Sequence, residues 1–152
     1  MECAIIKAMS QLVREAWVPY TPEQMYNLVN DVEKYPQFLP WCRLTEVLYA
    51  KEDEIMAKIH IAKGGIHKSF TTLNRLQKNR RVAMDLIEGP FNHLQGGWDF
   101  EPVSEVGGCQ ISFKLEFEFS SKLLNVTLGP LFQQITNKMV SAFTERAQQV
   151  YG

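Results

Sequence analysis

The sequence is poor in cysteine and has no C-x-x-C spacing. Its three cysteines, Cys3, Cys42 and Cys109, are odd in number and far apart. A disulfide framework needs paired cysteines, and a structural zinc site needs about four clustered ligands, which the three histidines do not complete. We therefore expect a domain that folds without disulfides or metal in a reducing compartment, the cytoplasm.

The sequence also lacks long apolar runs and an excess of charge of either sign. The most apolar stretch, residues 123–137, is interrupted by Asn, Thr and Gln, so no bilayer-spanning helix is predicted. The first nine residues are too short and too charged for a signal peptide. Sixteen basic and seventeen acidic residues give a formal net charge of -1. This balance excludes a strong overall attraction to nucleic acid, and no DNA partner is expected, but a local basic patch stays open.

The length of 152 residues is that of one domain. A chain of this size buries roughly 68–70% of its unfolded surface, so its hydrophobic core needs neither disulfides nor metal to fold. Met1 and Met9 are both candidate start sites. We therefore assign residues 1–10 to an N-terminal extension and residues 11–152 to the domain.

Hydrophobic periodicity divides the domain into strands and helices. A first strand over 12–18 is followed by a helix start in which Thr21 caps, Pro22 suits the first turn and Gln24 completes a capping box. A second short helical piece is predicted over 32–35. From 44 to 119 the period is two, as expected of antiparallel strands with one buried face.

The last segment changes to the helical period. Apolar residues recur at steps of three or four from 122 to 151, which predicts one long amphipathic helix with a bend at Gly129-Pro130. The fold class is therefore α+β, with a curved antiparallel sheet of about seven strands around the C-terminal helix. A sheet of that width has more inner face than one helix about 10–12 Å wide can cover. The inner face that the helix leaves uncovered either borders a cavity for an apolar small molecule or packs against a solid aromatic core.

Three segments carry a resemblance to a known family: Tyr35–Cys42 (YPQFLPWC), Lys63–Thr72 (KGGIHKSFTT) and Gly89–Phe100 (GPFNHLQGGWDF). In their order and spacing they resemble the START-like (SRPBCC) coenzyme Q-binding protein family. This family is also labelled polyketide cyclase/dehydrase, and it includes ribosome association toxins of the RatA type. The resemblance runs from about Leu12 to Tyr151.

The resemblance implies a helix-grip fold (START/Bet v 1-like) with a hydrophobic tunnel. The ligand it implies is ubiquinone or a related isoprenoid lipid, held without any required cofactor, by a carrier or chaperone that supports respiration. Two alternatives follow from the same family: a toxin of a toxin–antitoxin pair that binds the large ribosomal subunit and blocks subunit association, and a cyclase/dehydrase-like enzyme. Transient contact with the inner membrane would accompany the lipid function.

The predicted ligand-binding residues are the apolar side chains expected to face the interior or its mouth. They are Phe38, Leu39, Trp41, Phe70, Met84, Phe91, Leu94, Trp98, Phe113, Leu131, Ile135, Met139 and Phe143. The segment from Tyr35 to Trp41, with two prolines and several apolar residues, fits either a partly buried lid or a membrane-facing loop.

Catalytic signals are weak. Asp85, Glu88 and His93 are the nearest acid or base candidates, but no nucleophile motif, paired carboxylates or phosphate-binding loop is present, so we do not expect an enzyme. A basic cluster of Arg75, Lys78, Arg80 and Arg81 on one hairpin is a candidate contact for ribosomal RNA or lipid head groups. Charges at a hairpin tip also keep a sheet edge soluble, and that alternative stays open.

Overall fold

The computed structural model describes residues 9–152, so residues 1–8 of the predicted extension lie outside the described part of the chain. Within that part the elements, in chain order, are β1 Ser10–Val18, α1 Pro22–Asn30, a 3-10 helix Val32–Gln37, β2 Cys42–Ala50, β3 Glu54–Lys63, β4 Ile66–Gln77, β5 Arg81–Glu88, β6 Phe91–Pro102, β7 Cys109–Phe119, α2 Lys122–Asn137 and α3 Met139–Tyr151.

The strands form one seven-stranded sheet in the order β1-β7-β6-β5-β4-β3-β2. Every neighbouring pair is antiparallel, with β1 and β2 at the two edges. Along β7, Ile111, Phe113 and Leu115 are buried while the intervening residues are half-buried or exposed, as strict alternation predicts. The predicted α+β helix-grip architecture, with a curved sheet and C-terminal helices, is confirmed.

Helix α1 begins where its sequence signal predicts. The Thr21 hydroxyl accepts a hydrogen bond from the Gln24 amide at 3.0 Å, and the Gln24 side chain accepts one from the Thr21 amide at 2.9 Å. This reciprocal capping box satisfies two amides that the helix itself leaves free. The 3-10 helix that follows is tied back to α1, because the Tyr35 hydroxyl donates to the Val29 carbonyl.

The prediction of one uninterrupted C-terminal helix was wrong, whereas the bend predicted at Gly129-Pro130 stays a prediction. Helix α2 continues through Pro130, and the division comes at Lys138, which has φ -100° and ψ 0°. Pro130 is tolerated because the carbonyl it leaves without a donor belongs to Val126, whose side chain is exposed to water. The end of α2 is held by the edge strand, since Arg14 Nη2 donates to Asn137 Oδ1 at 2.8 Å.

Aromatic side chains fill the space between the sheet and the helices. Phe143 of α3 is fully buried, and its ring lies edge-on to those of Tyr35, Phe38 and Trp98 at centroid distances of 5.4, 5.1 and 5.1 Å. Such edge-to-face pairs stabilise a core beyond simple area burial. This cluster joins α3, the 3-10 helix and β6 into one packed unit.

The glycine pair in β6 allows close approach of the neighbouring strands. Gly97 has φ +154°, and a Cβ placed there would lie 2.2 Å from the Val82 carbonyl oxygen of β5. Only glycine allows the two backbones to approach this closely.

Candidate functional site

A small apolar cavity lies between the sheet and α2. Its volume is about 70 Å³. A dry protein cavity that binds benzene measures roughly 150 Å³, so this one is about half that size. The structure therefore combines the two alternatives for the interior: most of it is solid aromatic core, and a limited cavity remains inside.

Eight of the thirteen predicted ligand-binding residues line this cavity. They are Trp41, Phe70, Met84, Leu94, Trp98, Phe113, Ile135 and Met139. Phe91 and Phe143 lie instead in the surrounding core, where Phe91 stacks on Phe119 at 5.1 Å. Phe38, Leu39 and Leu131 lie at the surface groove described below.

The polar part of the cavity wall was missed from the sequence. Thr72, Asn74 and Thr136 are buried and line the cavity, together with Tyr35. The Thr72 hydroxyl donates to Asn74 Oδ1 at 2.9 Å. Alternation along β4 places Phe70, Thr72 and Asn74 on the same inner face, and that pattern was the signal available. The further apolar lining residues missed are Ala57, Ile59, Ile61, Leu115 and Phe132.

An open groove of about 400 Å³ lies outside the cavity, between the segment after the 3-10 helix and the α2–α3 junction. Trp41 and Ile135 line both the groove and the cavity, so they form the wall between them. Lys63, Lys138 and Glu145 are the charged residues of the groove. Its other lining residues combine apolar side chains with Gln134 and Ser141, so the groove is amphipathic.

The segment from Tyr35 to Trp41 is folded against the protein. Leu39 and Trp41 are 1% and 9% exposed, and the Phe38 ring lies under the Arg146 guanidinium at 5.1 Å. Burial holds the pKa of Tyr35 well above its usual value, with smaller contributions from Cys42 and Asp31. Of the two predicted readings, a partly buried lid describes these positions.

The three candidate acid or base residues do not line the cavity. Asp85 is paired with Arg75 at 2.5 Å on the outer face of the sheet. The His93 Nε2 atom lies 3.5 Å from Glu116 Oε2, and Glu88 is exposed. The structure thus brings none of them to the apolar interior.

Two of the four cations in the predicted basic cluster on the β4–β5 hairpin are paired with aspartates. Arg75 is paired with Asp85, and Arg81 Nε lies 2.6 Å from Asp99 Oδ1. Lys78 and Arg80 are exposed at the turn. In the described residues 9–152 these two have no ion-pair partner within 4.0 Å, and two unpaired cations attract a polyanion less strongly than the four that the sequence suggests.

A second depression with basic residues in its lining, not predicted from the sequence, lies on strands β2, β3 and β4. Arg43, His60, His67 and Lys68 line a depression of about 170 Å³. His60 Nε2 lies 2.7 Å from Glu46 Oε2, and this hydrogen bond lowers the pKa of the Glu46 carboxyl. Register pairs Lys68 with the buried Ile61 and His67 with Ala62, so these two neighbouring side chains leave opposite faces of β4.

The described residues contain neither a reactive thiol nor a cluster suited to a metal ion. Burial raises the pKa of the Cys42 and Cys109 thiols to about 11, so both are neutral and unreactive near pH 7. No group of three or more His, Cys, Asp or Glu that could hold a metal ion occurs in residues 9–152. Among the helices of that part of the chain, none has the length and apolar character needed to cross a membrane.

Residues 18–144 match the family described as "Polyketide cyclase / dehydrase and lipid transport". A Vibrio cholerae protein named "Ribosome association toxin RatA" is 47% identical over 144 residues, which cover 95% of this chain and 99% of that protein. A Xenopus laevis "Coenzyme Q-binding protein COQ10 homolog B, mitochondrial" is 29% identical over 136 residues, or 88% of this chain and 56% of that protein.

Solved structures confirm the fold. The Zhui aromatase/cyclase from Streptomyces sp. R1128 superposes with a TM-score of 0.82 over 95% of this chain and 96% of that one. The two sequences are only 15% identical, so this likeness concerns the arrangement of strands and helices alone.

Proposed function

The chain belongs to the polyketide cyclase/dehydrase and lipid transport family, and within it we propose that the protein associates with the ribosome. Its partner would be the large subunit, and its effect would be to block subunit joining. The observation that carries the proposal is the 47% identity to the Vibrio cholerae ribosome association toxin over 95% of this chain. An identity of this size across a whole domain, loops and surface included, favours a shared partner as well as a shared fold.

Two structural features support a surface function. The cavity of about 70 Å³ is too small for a long isoprenoid ligand as it stands. Within residues 9–152, the only ionisable side chain that lines it is Tyr35, whose hydroxyl donates to the Val29 carbonyl and whose pKa burial holds well above its usual value, so it is a poor acid or base for a cyclase reaction.

A subunit-joining experiment tests this proposal. Purified small and large subunits are mixed with and without a molar excess of the protein, and the fraction of joined ribosomes is measured on sucrose gradients. We expect the joined fraction to fall and the protein to migrate with the large subunit. An unchanged joined fraction, with the protein left at the top of the gradient, would refute the proposal.

A second candidate function is binding of a prenyl quinone or similar lipid. It is favoured by one specific observation: the internal cavity and the groove of about 400 Å³ share two lining residues, Trp41 and Ile135. Together the two spaces fall within the roughly 300–1,000 Å³ of known ligand pockets. Uptake would require these two side chains to move, and the name of the Xenopus laevis relative supports the same chemistry.

Lipid extraction tests the second candidate. The purified protein is extracted with organic solvent and examined by mass spectrometry, then offered a short-chain ubiquinone analogue. Leu131→Trp should fill the groove and lower uptake, and Trp98→Ala should reshape the cavity and change it. Leu123→Trp is the matched control, because Leu123 is 70% exposed and lies outside both spaces. A protein that neither carries nor takes up any prenyl quinone does not have this function.

A further inference from the structure

The cavity between the sheet and α2 has an uncharged wall with one polar region. Among the described residues 9–152, those that line it include no Asp, Glu, His, Lys or Arg. Thr72, Asn74 and Thr136 supply polar atoms, and they are only 4%, 6% and 3% exposed. A charged ligand would lose its hydration here without gaining a partner, so the space suits an uncharged molecule.

Strand register turns the Asn74 side chain toward the cavity. Asn74 in β4 is paired with Ile55 of β3 and with Met84 of β5, which also lines the cavity. Residues directly opposite each other in an antiparallel pair lie on the same face of the sheet. Alternation places Thr72 on that face too, opposite the buried Ala57. The Asn74 amide therefore lies on the inner face of the sheet, at the wall of the cavity.

The protein satisfies only one side of the Asn74 amide. Its Oδ1 accepts a hydrogen bond from the Thr72 hydroxyl at 2.9 Å. Within the part of the chain that the structure describes, its Nδ2, which carries two N–H groups, donates no hydrogen bond. This nitrogen is not among the fully enclosed polar atoms that lack a partner, so it keeps a surface that a molecule in the cavity can reach. A buried donor without an acceptor is unfavourable, and an acceptor on a ligand would remove that penalty.

The hydroxyl groups that line the cavity have their protons engaged within the protein. Thr136 donates to the Gln133 carbonyl at 3.1 Å, and Tyr35 donates to the Val29 carbonyl. These side chains can offer a ligand only the lone pairs of their oxygen atoms. Asn74 differs from them because it has N–H groups left to donate, and a ligand that matches it must present an acceptor.

The volume of the cavity limits the size of such a ligand. A water molecule occupies roughly 10–15 Å³ of this kind of volume, so about 70 Å³ holds roughly five groups of that size. Apolar side chains form most of the wall, among them Ile59, Met84 and Leu115. The ligand, or the part of it inside the cavity, is therefore small and mostly apolar.

We propose that the cavity binds a small uncharged carbonyl compound, whose oxygen accepts a hydrogen bond from the Asn74 amide. The Nδ2 atom is the donor, the Thr72 hydroxyl fixes the other side of the amide, and the apolar wall surrounds the rest of the ligand. A ketone or an aldehyde of about five non-hydrogen atoms fits this description. The inference rests on the second candidate function, because the interior has to admit an uncharged molecule, and it names the chemical group that is recognised there.

Binding of 2-butanone to the wild-type protein, followed by NMR, tests the inference. The matched control ligand is 2-methyl-1-butene, which has the same shape and a CH₂ group in place of the carbonyl oxygen. We expect both ligands to shift the methyl resonances of cavity-lining residues such as Ile59 and Met84. Only 2-butanone should move the side-chain amide resonances of Asn74, because only its oxygen accepts a hydrogen bond.

Thr72→Val with Asn74→Leu removes the polar pair and keeps side chains of similar shape. Replacing both partners of a hydrogen bond in this way changes stability little, so the variant should fold. We expect its affinity for 2-butanone to fall about 10-fold, while its affinity for 2-methyl-1-butene should not fall. Thr71→Val is the matched control variant, because Thr71 is also buried on β4 but does not line the cavity. It should bind both ligands as the wild type does.

Three results would overturn the inference. If neither ligand shifts any cavity resonance, the inference fails together with the uptake on which it rests. If both ligands bind and the Asn74 amide resonances do not move, uptake stands, the amide is bonded to an ordered water, and carbonyl recognition is wrong. Unchanged affinity for 2-butanone in the double variant would show that another group holds the oxygen.

A longer ketone separates this inference from the lipid candidate. 2-Undecanone carries the same carbonyl group on a chain that the cavity cannot hold. Binding that Leu131→Trp lowers would place the chain in the groove, which Leu131 lines, and would support both proposals. Binding of 2-butanone alone would support the carbonyl site and count against the lipid candidate.

Discussion

Trp41 and Ile135 form the shared wall between the buried cavity and the open groove. Trp41 follows the 3-10 helix and Ile135 lies in the last turns of α2, so this wall joins two elements that are far apart in the chain. Both side chains are nearly buried, at 9% and 5% exposure. Access from the groove to the interior therefore depends on these two positions.

Ile135→Ala should connect the cavity to the groove. We expect a loss of about 2–5 kcal/mol in the free energy of unfolding, with new binding of a small apolar probe such as benzene. Urea unfolding and NMR chemical-shift changes of cavity residues measure the two effects. Leu131→Ala is the control, because Leu131 lines the groove without reaching the cavity. Benzene binding by the control, or none by Ile135→Ala, would contradict the shared-wall description.

Gly97→Ala should be among the most damaging alanine substitutions. The added Cβ would lie 2.2 Å from the Val82 carbonyl oxygen, at a φ of +154° that alanine rarely adopts. We expect a cost of about 3 kcal/mol or more. Gly107→Ala measures the cost of the backbone conformation alone, since Gly107 has φ +77° and open space around its Cβ position. That control should cost about 1 kcal/mol, and equal costs in urea unfolding would show that the close contact is not the cause.

Phe143→Ala should remove the centre of the aromatic cluster. The Phe143 side chain is fully buried and contacts the rings of Tyr35, Phe38 and Trp98. Large-to-small changes at such sites cost about 3–5 kcal/mol. Leu123→Ala, at a 70% exposed position on α2, should stay within about 0.5 kcal/mol of the wild type. Chemical unfolding monitored by tryptophan fluorescence compares the two variants.

Stability should decline at alkaline pH as the buried thiols ionise. Burial raises the pKa of Cys42 and Cys109 from 9.0 to about 11, so the folded state holds these protons more tightly than the unfolded state does. Their stabilising contribution is therefore complete below pH 9.0 and is lost as pH rises through about 11. Cys42→Ala with Cys109→Ala should make the decline between these pH values shallower. Part of it will persist, because burial also raises the pKa of Tyr35.

Most of the architecture was predictable because local and global signals agree. The alternation of β7 and the Thr21–Gln24 capping box each specify their own element, and both appear as predicted. The division at Lys138 was not predictable in this way. The helical spacing of apolar residues continues unbroken from Ile135 to Met139. What the structure has beside the division is a hydrogen bond from a distant strand, which Arg14 donates to Asn137.

The candidate sites depended on register and packing, which periodicity does not supply. The four arginines and lysines of the β4–β5 hairpin looked equivalent in the sequence. Cross-strand register then placed Asp85 beside Arg75 and Asp99 beside Arg81. Arg43 and Lys68 are 25 residues apart in the numbering, and only the pairing of β2, β3 and β4 brings them to one depression.

The division at Lys138 separates two helices that are anchored to different degrees. In α3, Val140, Phe143 and Ala147 are buried, whereas the first turns of α2 expose Leu123 and Val126 by 70% and 72%. Because α2 is joined to α3 through a single non-helical residue, local unfolding of α2 does not require α3 to unravel. We therefore expect amide protons early in α2, beside the exposed Leu123 and Val126, to exchange with solvent sooner than those around Phe143.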